Sequence, residues 1–113
     1  MAKTYGLDCP VARTLDLIGD RWTILVLRDL LLNRTRRFQD FCDAFPGLTP
    51  SVLSARLKEL EEGGVIESQI YSDHPPRSEY LLTEKGRSLG PILRALRQWG
   101  EAHTAPISGI ESR

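Results

Sequence analysis

Leucines, hydroxyl side chains and cations over residues 50–62 are spaced as in an amphipathic helix. At 100° per residue, Leu53, Leu57 and Leu60 share one face. The opposite face is small, hydroxylic and cationic, and it contains Ser51, Ser54, Ala55 and Lys58, with Arg56 on the flank. Small residues let the backbone approach, hydroxyls hydrogen-bond to bases or phosphates, and cations offset phosphate charge. This face could therefore contact a nucleic acid, although an ordinary solvated helix shows the same pattern.

Arginines outside this stretch supply a second basic element. Arg36 and Arg37 end an arginine-rich run over residues 33–37, and Arg77 follows a pair of prolines. The chain as a whole is neutral, with 15 basic and 15 acidic residues among 113, which excludes a uniformly basic nucleic-acid binder. The sequence therefore predicts a local basic patch, and the alternative is a solvated arginine-rich loop.

The cysteines limit the redox and metal chemistry that the chain can support. Two cysteines are too few for a disulfide framework or a four-ligand zinc site, and His74 and His103 lie far from both in sequence. Cys9 precedes a proline at a predicted helix start, where the positive end of the helix dipole favours a thiolate. Arg13 would strengthen this effect and Asp8 would oppose it. The alternative is a cysteine that only caps and packs.

Motifs typical of catalysis are missing from the sequence. It has no glycine-rich phosphate loop, no Gly-x-Ser-x-Gly elbow and no nucleophile beside an evident base. We therefore expect neither an enzyme nor a bound metal or cofactor. No apolar run approaches the roughly 18 residues of a membrane span, and the N-terminus lacks the apolar core of a secretion signal. These observations predict a cytoplasmic protein.

Three helices are predicted before the amphipathic one. The first begins at Pro10 and ends at Gly19. Asp20 is predicted to cap a second helix over residues 21–32, which is apolar on nearly every side and should be the most buried element. A short third helix over residues 37–45 is predicted from a buried stripe at helical spacing, namely Phe38, Phe41, Cys42 and Phe45.

The amphipathic helix is expected to lie between a tight turn and a β-hairpin. Pro46-Gly47-Leu48 forms the turn, and Thr49 is suited to cap the helix that follows. Strands are predicted over residues 65–71 and 78–82, with a loop over residues 72–77 because consecutive prolines interrupt a ladder. The predicted fold class is therefore mainly α with a small antiparallel β-hairpin (α+β), a winged helix-turn-helix.

A long last helix is expected to help form a homodimer. Thr83 is predicted to cap this helix over residues 84–103, with a kink at Gly90-Pro91. Its apolar stripe is long for so small a domain, so part of it should pack on a second copy together with the first helix. The predicted dimer interface consists of Val11, Leu15, Leu89, Ile92, Leu93, Leu96 and Trp99. The domain is expected over residues 1–105, followed by a disordered tail over residues 106–113.

A series of motifs runs in a fixed order through residues 8–100. It contains Cys9-Pro10-Val11-Ala12-Arg13-Thr14-Leu15, Gly19-Asp20-Arg21-Trp22-Thr23, Arg36-Arg37-Phe38, Pro46-Gly47-Leu48-Thr49-Pro50, Val52-Leu53-Ser54, Arg56-Leu57-Lys58-Glu59-Leu60-Glu61, Leu82-Thr83-Glu84-Lys85-Gly86 and Trp99-Gly100. Together these motifs resemble the HxlR-type family of bacterial transcription regulators. The resemblance implies a small winged-helix protein, related in fold to the MarR-type regulators, that dimerises through its first and last helices and binds operator DNA.

The resemblance also implies roles for individual residues. In the expected DNA-binding set, Ser51, Ser54, Ala55 and Lys58 face the major groove, Arg36 and Arg37 reach phosphates, Arg77 serves the wing, and Thr49 and Arg56 complete the contacts. Some family members sense oxidants or electrophiles through the cysteine of the Cys-Pro motif, which makes Cys9 the candidate sensor, and others respond to small ligands. The implied function is a sequence-specific homodimeric regulator, most simply a repressor. The alternative is a winged-helix protein-interaction module without DNA function.

Overall fold

Six helices and three strands follow one another along the chain in the computed structural model, which describes residues 5–107. Their bounds are α1 Pro10–Ile18, α2 Thr23–Leu32, β1 Arg36–Arg37, α3 Phe38–Ala44, α4 Pro50–Glu62, β2 Ile66–Asp73, β3 Pro76–Leu82, α5 Glu84–Arg87 and α6 Gly90–His103. Residues 104–107 have no regular structure. The predictions made for residues 1–4 and 108–113, the two ends of the chain, lie outside the described residues.

Local capping determines where α4 begins and ends. The Thr49 hydroxyl accepts a hydrogen bond from the Val52 N–H at 3.3 Å, and a proline occupies the first turn, as predicted. At the other end, Gly64 has a φ of 73°, and the Val65 N–H donates to the Leu60 carbonyl at 2.9 Å. Glycine adopts this left-handed conformation without a steric penalty. The bounds of α4 are therefore set by its own sequence.

The start of α2 differs from the prediction. The helix begins at Thr23 rather than Arg21, after a turn. Asp20 nevertheless serves the helix start, because its Oδ2 accepts hydrogen bonds from the Trp22 N–H at 3.0 Å and the Thr23 hydroxyl at 3.4 Å. Every residue of α2 from Thr23 to Leu30 is buried or half-buried, and only Leu31 and Leu32 at its end are exposed.

The sheet has three strands instead of the two predicted. Its order is β1-β3-β2, and both neighbouring pairs are antiparallel. The short β1 was missed because two residues carry no alternating pattern; it pairs Arg36 with Tyr80. The predicted loop over residues 72–77 was too long, since Asp73 pairs with Pro76 and the strands extend to the turn. A proline is tolerated here because it is the first residue of its strand.

The predicted last helix is two helices. The short α5 ends at Arg87, and α6 restarts at Gly90 with a proline in its first turn. Proline suits a first turn because no backbone donor is needed there, whereas in a helix interior it removes a hydrogen bond and clashes. Thr83 caps α5 as predicted, accepting a hydrogen bond from the Gly86 N–H at 3.1 Å.

The hydrophobic core lies between α2, α3, α4 and the sheet. Its most buried side chains in the described chain are Val26, Leu27, Phe41, Leu53, Leu57, Leu60, Val65 and Ile66. In α3 only Phe41 of the predicted stripe is fully buried; Phe38, Cys42 and Phe45 pack at the core edge. The inward face of α4 is the predicted one. The core therefore fixes which face of α4 points outward.

None of the helices in the described residues is long and apolar enough to cross a membrane.

Candidate nucleic-acid interface

The outward face of α4 has the chemistry predicted for it. Ser51, Ser54, Ala55 and Lys58 are all exposed, while the three leucines of the opposite face are buried. The Thr49 side chain is exposed beside Ser51, with the two hydroxyl oxygens 3.5 Å apart, although it also caps the helix. We refer to Ser51, Ser54, Ala55 and Lys58 as the α4 outer face. It presents hydroxyls, a methyl group and one ammonium to the solvent.

Arg56 lies beside the α4 outer face but is directed into the protein. Its Nε is 3.0 Å from Asp20 Oδ2, without the alignment of a hydrogen bond, and its Nη1 donates to Glu59 Oε1 at 2.7 Å. Only 28% of the Arg56 side chain is exposed. The structure therefore does not bring Arg56 together with the other predicted DNA-binding residues.

Arg36 is also held within the fold. Its Nε donates to Asp29 Oδ2 at 2.8 Å, and the two side chains are only 24% and 10% exposed. Asp29 is buried in α2, where its carboxylate is also 3.4 Å from the side-chain amide of Asn33. The pair fastens β1 to α2. Sequence reasoning missed Asp29, because an acidic residue in an apolar helix shows no partner until the chain folds.

Arg37 is presented at the surface beside the hairpin. It is exposed, and its guanidinium lies over the Tyr71 ring at 3.9 Å from the centroid, which is a cation–π contact. Its backbone N–H donates to Asp40 Oδ2 at 2.8 Å and so helps to start α3. Arg77 is exposed as the second residue of β3, two positions after the turn. Arg37 and Arg77 therefore remain available to a polyanion.

The acidic end of α4 is tied to the sheet. Glu61 Oε2 accepts a hydrogen bond from the Ser68 hydroxyl at 3.3 Å. Burial raises the pKa of the Tyr80 phenol, and the charge of Glu61 adds to the increase. Because Glu59, Glu61 and Glu62 collect at this end and the hydroxyls of Ser51 and Ser54 lie nearer the other, the N-terminal half of α4 is the half suited to phosphates, and Lys58 adds its charge from just beyond the helix midpoint.

Cys9 is exposed at the first turn of α1. Its Sγ accepts a hydrogen bond from the Ala12 N–H at 3.3 Å, so the sulfur caps the helix. The neighbouring charges neutralise each other, since Arg13 donates to Asp8 at 2.7 Å in an exposed pair. Cys42 is half-buried. No cluster of three or more metal-binding side chains occurs within residues 5–107.

A second surface is apolar. Side chains on α1 and α6 expose much of their area, with Trp99 at 63%; the others are Val11, Leu15, Ile92 and Leu96. Two residues predicted for this interface lie elsewhere. Leu93 is only 9% exposed and belongs to the core of its own chain, and Leu89 packs against that core. The prediction for Leu93 was wrong because helical spacing alone does not separate two adjacent apolar faces.

Comparisons with known proteins identify the family. The HxlR-like helix-turn-helix family matches residues 17–108. The uncharacterised HTH-type transcriptional regulator YdeP of Bacillus subtilis is 39% identical over 104 residues, which are 92% of this chain and 80% of YdeP. The crystal structure of PA1607, a putative transcription factor, has a TM-score of 0.80 at 42% identity and covers 96% of this chain, which in turn covers 74% of PA1607.

A solved redox regulator is similar to the chain along nearly its whole length. HypR in its oxidised form superposes with a TM-score of 0.79 at 37% identity, covering 87% of this chain and 100% of HypR. The family and its relatives are transcriptional regulators rather than enzymes, and the winged-helix fold class is confirmed. The chain belongs to the HxlR-like helix-turn-helix family and is a transcriptional regulator of the helix-turn-helix type.

Proposed function

We propose that the protein is a sequence-specific DNA-binding repressor that acts as a homodimer. The observation that carries the proposal is the α4 outer face, an exposed patch of hydroxyls with one cation on a helix that the core holds rigidly. Such a face fits the major groove, where hydroxyls and small side chains can approach base edges. Ala55 offers its methyl group to a thymine methyl. Repression is the simplest outcome, because a bound dimer excludes other proteins from the same DNA.

Arg36 and Arg56 are held within the fold, and three other cations are proposed to contact phosphates. Lys58 extends from α4, Arg37 lies beside the hairpin, paired with Glu79 and stacked on Tyr71, and Arg77 lies just after the turn; all three are exposed. They add exposed positive charge to a chain whose net charge is zero. Local rather than overall charge would therefore orient the protein on the duplex.

Salt dependence tests the DNA-binding proposal. Binding to a duplex selected from a randomised pool should weaken with salt, and the log–log slope should be about −0.9 for each phosphate contact. Lys58→Met should weaken binding and reduce the steepness by about 0.9 per bound protomer. Fluorescence anisotropy at several salt concentrations gives both quantities.

Arg94→Met is the matched control, because it also removes one exposed positive charge, but from α6 rather than α4. Its slope should equal that of the wild type. If no duplex is enriched, or if Lys58→Met retains the wild-type slope, the DNA-binding proposal is wrong. The protein-interaction module would then be the better description.

Cys9 is the proposed input for regulation by oxidants. The thiol is exposed, and its sulfur accepts the hydrogen bond that caps α1, which also carries part of the apolar surface. Hydrogen peroxide would oxidise the thiol to a sulfenic acid and be reduced to water. The new oxygen would alter the cap at the start of α1. The similarity to the redox regulator HypR supports this proposal.

Peroxide treatment should weaken operator binding of the wild type by about 5- to 150-fold, the usual range of coupling between two sites. Cys9→Ser should bind the same duplex without responding to peroxide, since serine retains a capping oxygen but cannot be oxidised in this way. Cys42→Ser is the matched control and should respond like the wild type. Equal peroxide sensitivity of Cys9→Ser and the wild type would exclude Cys9 as the sensor.

A further inference from the structure

The connection between α1 and α2, residues 19–22, is called the elbow here, and it contacts α4 through a fixed carboxylate. Asp20 Oδ2 is held by the Trp22 N–H and the Thr23 hydroxyl at the start of α2. The same oxygen is the one that faces Arg56 Nε at 3.0 Å. Arg56 Nη1 meanwhile binds Glu59, one turn further along α4. The guanidinium therefore joins the elbow to two points on α4.

The ion-pair network of Asp20, Arg56 and Glu59, called the bridge here, is partly shielded from water. The side chains of Asp20, Arg56 and Glu59 are 32%, 28% and 20% exposed. Partial burial alone would raise the pKa of Asp20, but the Trp22 N–H and the Arg56 guanidinium lower it below its ordinary value. The two carboxylates likewise raise the pKa of Arg56 despite its burial. Asp20 and Arg56 thus stay charged at neutral pH, in a setting where an ion pair is stronger than on an open surface.

Two apolar contacts flank the bridge. The Trp22 ring packs against Phe45, with 6.2 Å between the ring centroids, and a Cβ at Gly47 would lie 3.3 Å from the same indole. At the other end, a Cβ at Gly63 would lie 2.6 Å from Leu17 of α1. The α1–elbow unit therefore touches the turn before α4, the middle of α4 and its end. No element of this arrangement involves the α4 outer face.

We propose that Arg56 is a positioning residue, which sets the orientation of α4 relative to α1 through Asp20 and Glu59 instead of contacting DNA. The inference rests on the proposed DNA-binding function. It assigns the contacts through which a movement of α1 would be transmitted to the α4 outer face. The α1 helix carries Cys9 at one end and an apolar face along its side. A change in the position of α1 would reach α4 through this bridge.

The two roles of Arg56 predict opposite behaviour for conservative variants. Lysine keeps the positive charge that a phosphate needs, but its single ammonium cannot span two carboxylates as a guanidinium does. Asp20→Asn removes a negative charge from the elbow and leaves α4 unchanged in sequence. A phosphate-contacting Arg56 would therefore tolerate Arg56→Lys and would bind as well or better in Asp20→Asn. A positioning Arg56 should tolerate neither.

The experiment measures operator affinity and its salt slope for Arg56→Lys, Arg56→Met, Asp20→Asn and the double variant Asp20→Asn/Arg56→Met, with Lys58→Met as the reference for a phosphate contact. We expect each single change at Asp20 or Arg56 to weaken binding by about tenfold, with the wild-type slope. The double variant should be no weaker than Arg56→Met, since both changes break one contact. Wild-type affinity of Arg56→Lys and Asp20→Asn, with a slope reduced by about 0.9 per protomer in Arg56→Met, would overturn the proposal.

Amide hydrogen exchange in the DNA-free protein provides a second measurement. Arg56→Met and Asp20→Asn should both accelerate exchange in the first half of α4 by about fivefold or more, while β2 exchanges as in the wild type. Unchanged exchange in α4 would refute positioning by Arg56 even if the affinities fall. If the wild type binds no selected duplex, the proposed DNA function fails, and this exchange comparison alone then supports or refutes the bridge.

Discussion

Arg36→Met should lower the free energy of unfolding by about 3 kcal/mol, because the substitution leaves the buried carboxylate of Asp29 without its positively charged partner. Asp29 is 7% exposed as a residue, and Arg36 is the charged group that neutralises it at 2.8 Å. Methionine keeps most of the side-chain volume, so lost packing contributes little. The effect lies at the lower end for a broken buried pair, since the partly exposed site admits some water. Urea unfolding followed by circular dichroism measures the change.

A double variant separates the cost of the unpaired Asp29 carboxylate from other effects of replacing Arg36 on stability. Replacing both partners, as Arg36→Met with Asp29→Leu, should recover most of the lost stability, because well-packed apolar groups often replace a buried ion pair without cost. Lys58→Met removes a fully solvated cation and should change stability by less than about 0.5 kcal/mol. Equal stability of Arg36→Met and Lys58→Met would contradict the buried pair and would return Arg36 to the set of free phosphate-binding cations.

The start of α4 and its inward face could be predicted from the sequence, because the residues that determine them are close together in the chain. Thr49 lies next to the turn and reaches the Val52 N–H three residues away, and the leucine spacing selects the inward face within one helix. The same holds for Thr83 at the start of α5. Caps and helical periodicity involve residues a few positions apart, so a single sequence displays both partners.

The ion pairs could not be predicted because their partners are distant or hidden. Asp20 and Arg56 are 36 positions apart, and the sequence indicates only a helix cap at Asp20 and a charge on the flank of α4 at Arg56. Arg36 and Asp29 are closer, but the pairing depends on β1, a two-residue strand that exists only because β3 lies beside it. The candidate DNA-binding set therefore contained the right types of residue, and only the fold separates the inward-directed arginines from Arg37 and Arg77.

Helical spacing alone also could not show which apolar side chains of α6 face the core and which face the solvent. Leu93 and Leu96 are three positions apart, which places them about 60° apart around the helix, within a single apolar stripe. The fold divides this stripe, since Leu93 enters the core and Leu96 is 50% exposed. Exposed leucine and tryptophan side chains on one helix face form the kind of patch that marks an interaction site. Because Leu96 is exposed and Leu93 is buried, a substitution at Leu96 tests the proposed dimer interface without altering the core.

Leu96→Glu should weaken operator binding by about 100-fold or more, because it places a charge in the proposed homodimer interface and leaves single domains to bind single half-sites. A linked pair of sites gains its affinity from the second, intramolecular binding event, which commonly contributes about 10²- to 10⁴-fold. The side chain lies outside the core, so the fold should persist. Sedimentation equilibrium gives the oligomeric state and anisotropy gives the affinity.

Gln98→Glu is the matched control for charge, since it adds the same negative charge about 160° away on the same exposed helix. It should remain dimeric and should bind at nearly wild-type affinity. A dimeric Leu96→Glu variant would refute α6 as the interface, and a monomeric variant with full affinity would refute bivalent binding. Loss of affinity in both variants would instead indicate that DNA repels any charge added to α6. Only a difference between the two variants supports pairing through the apolar face.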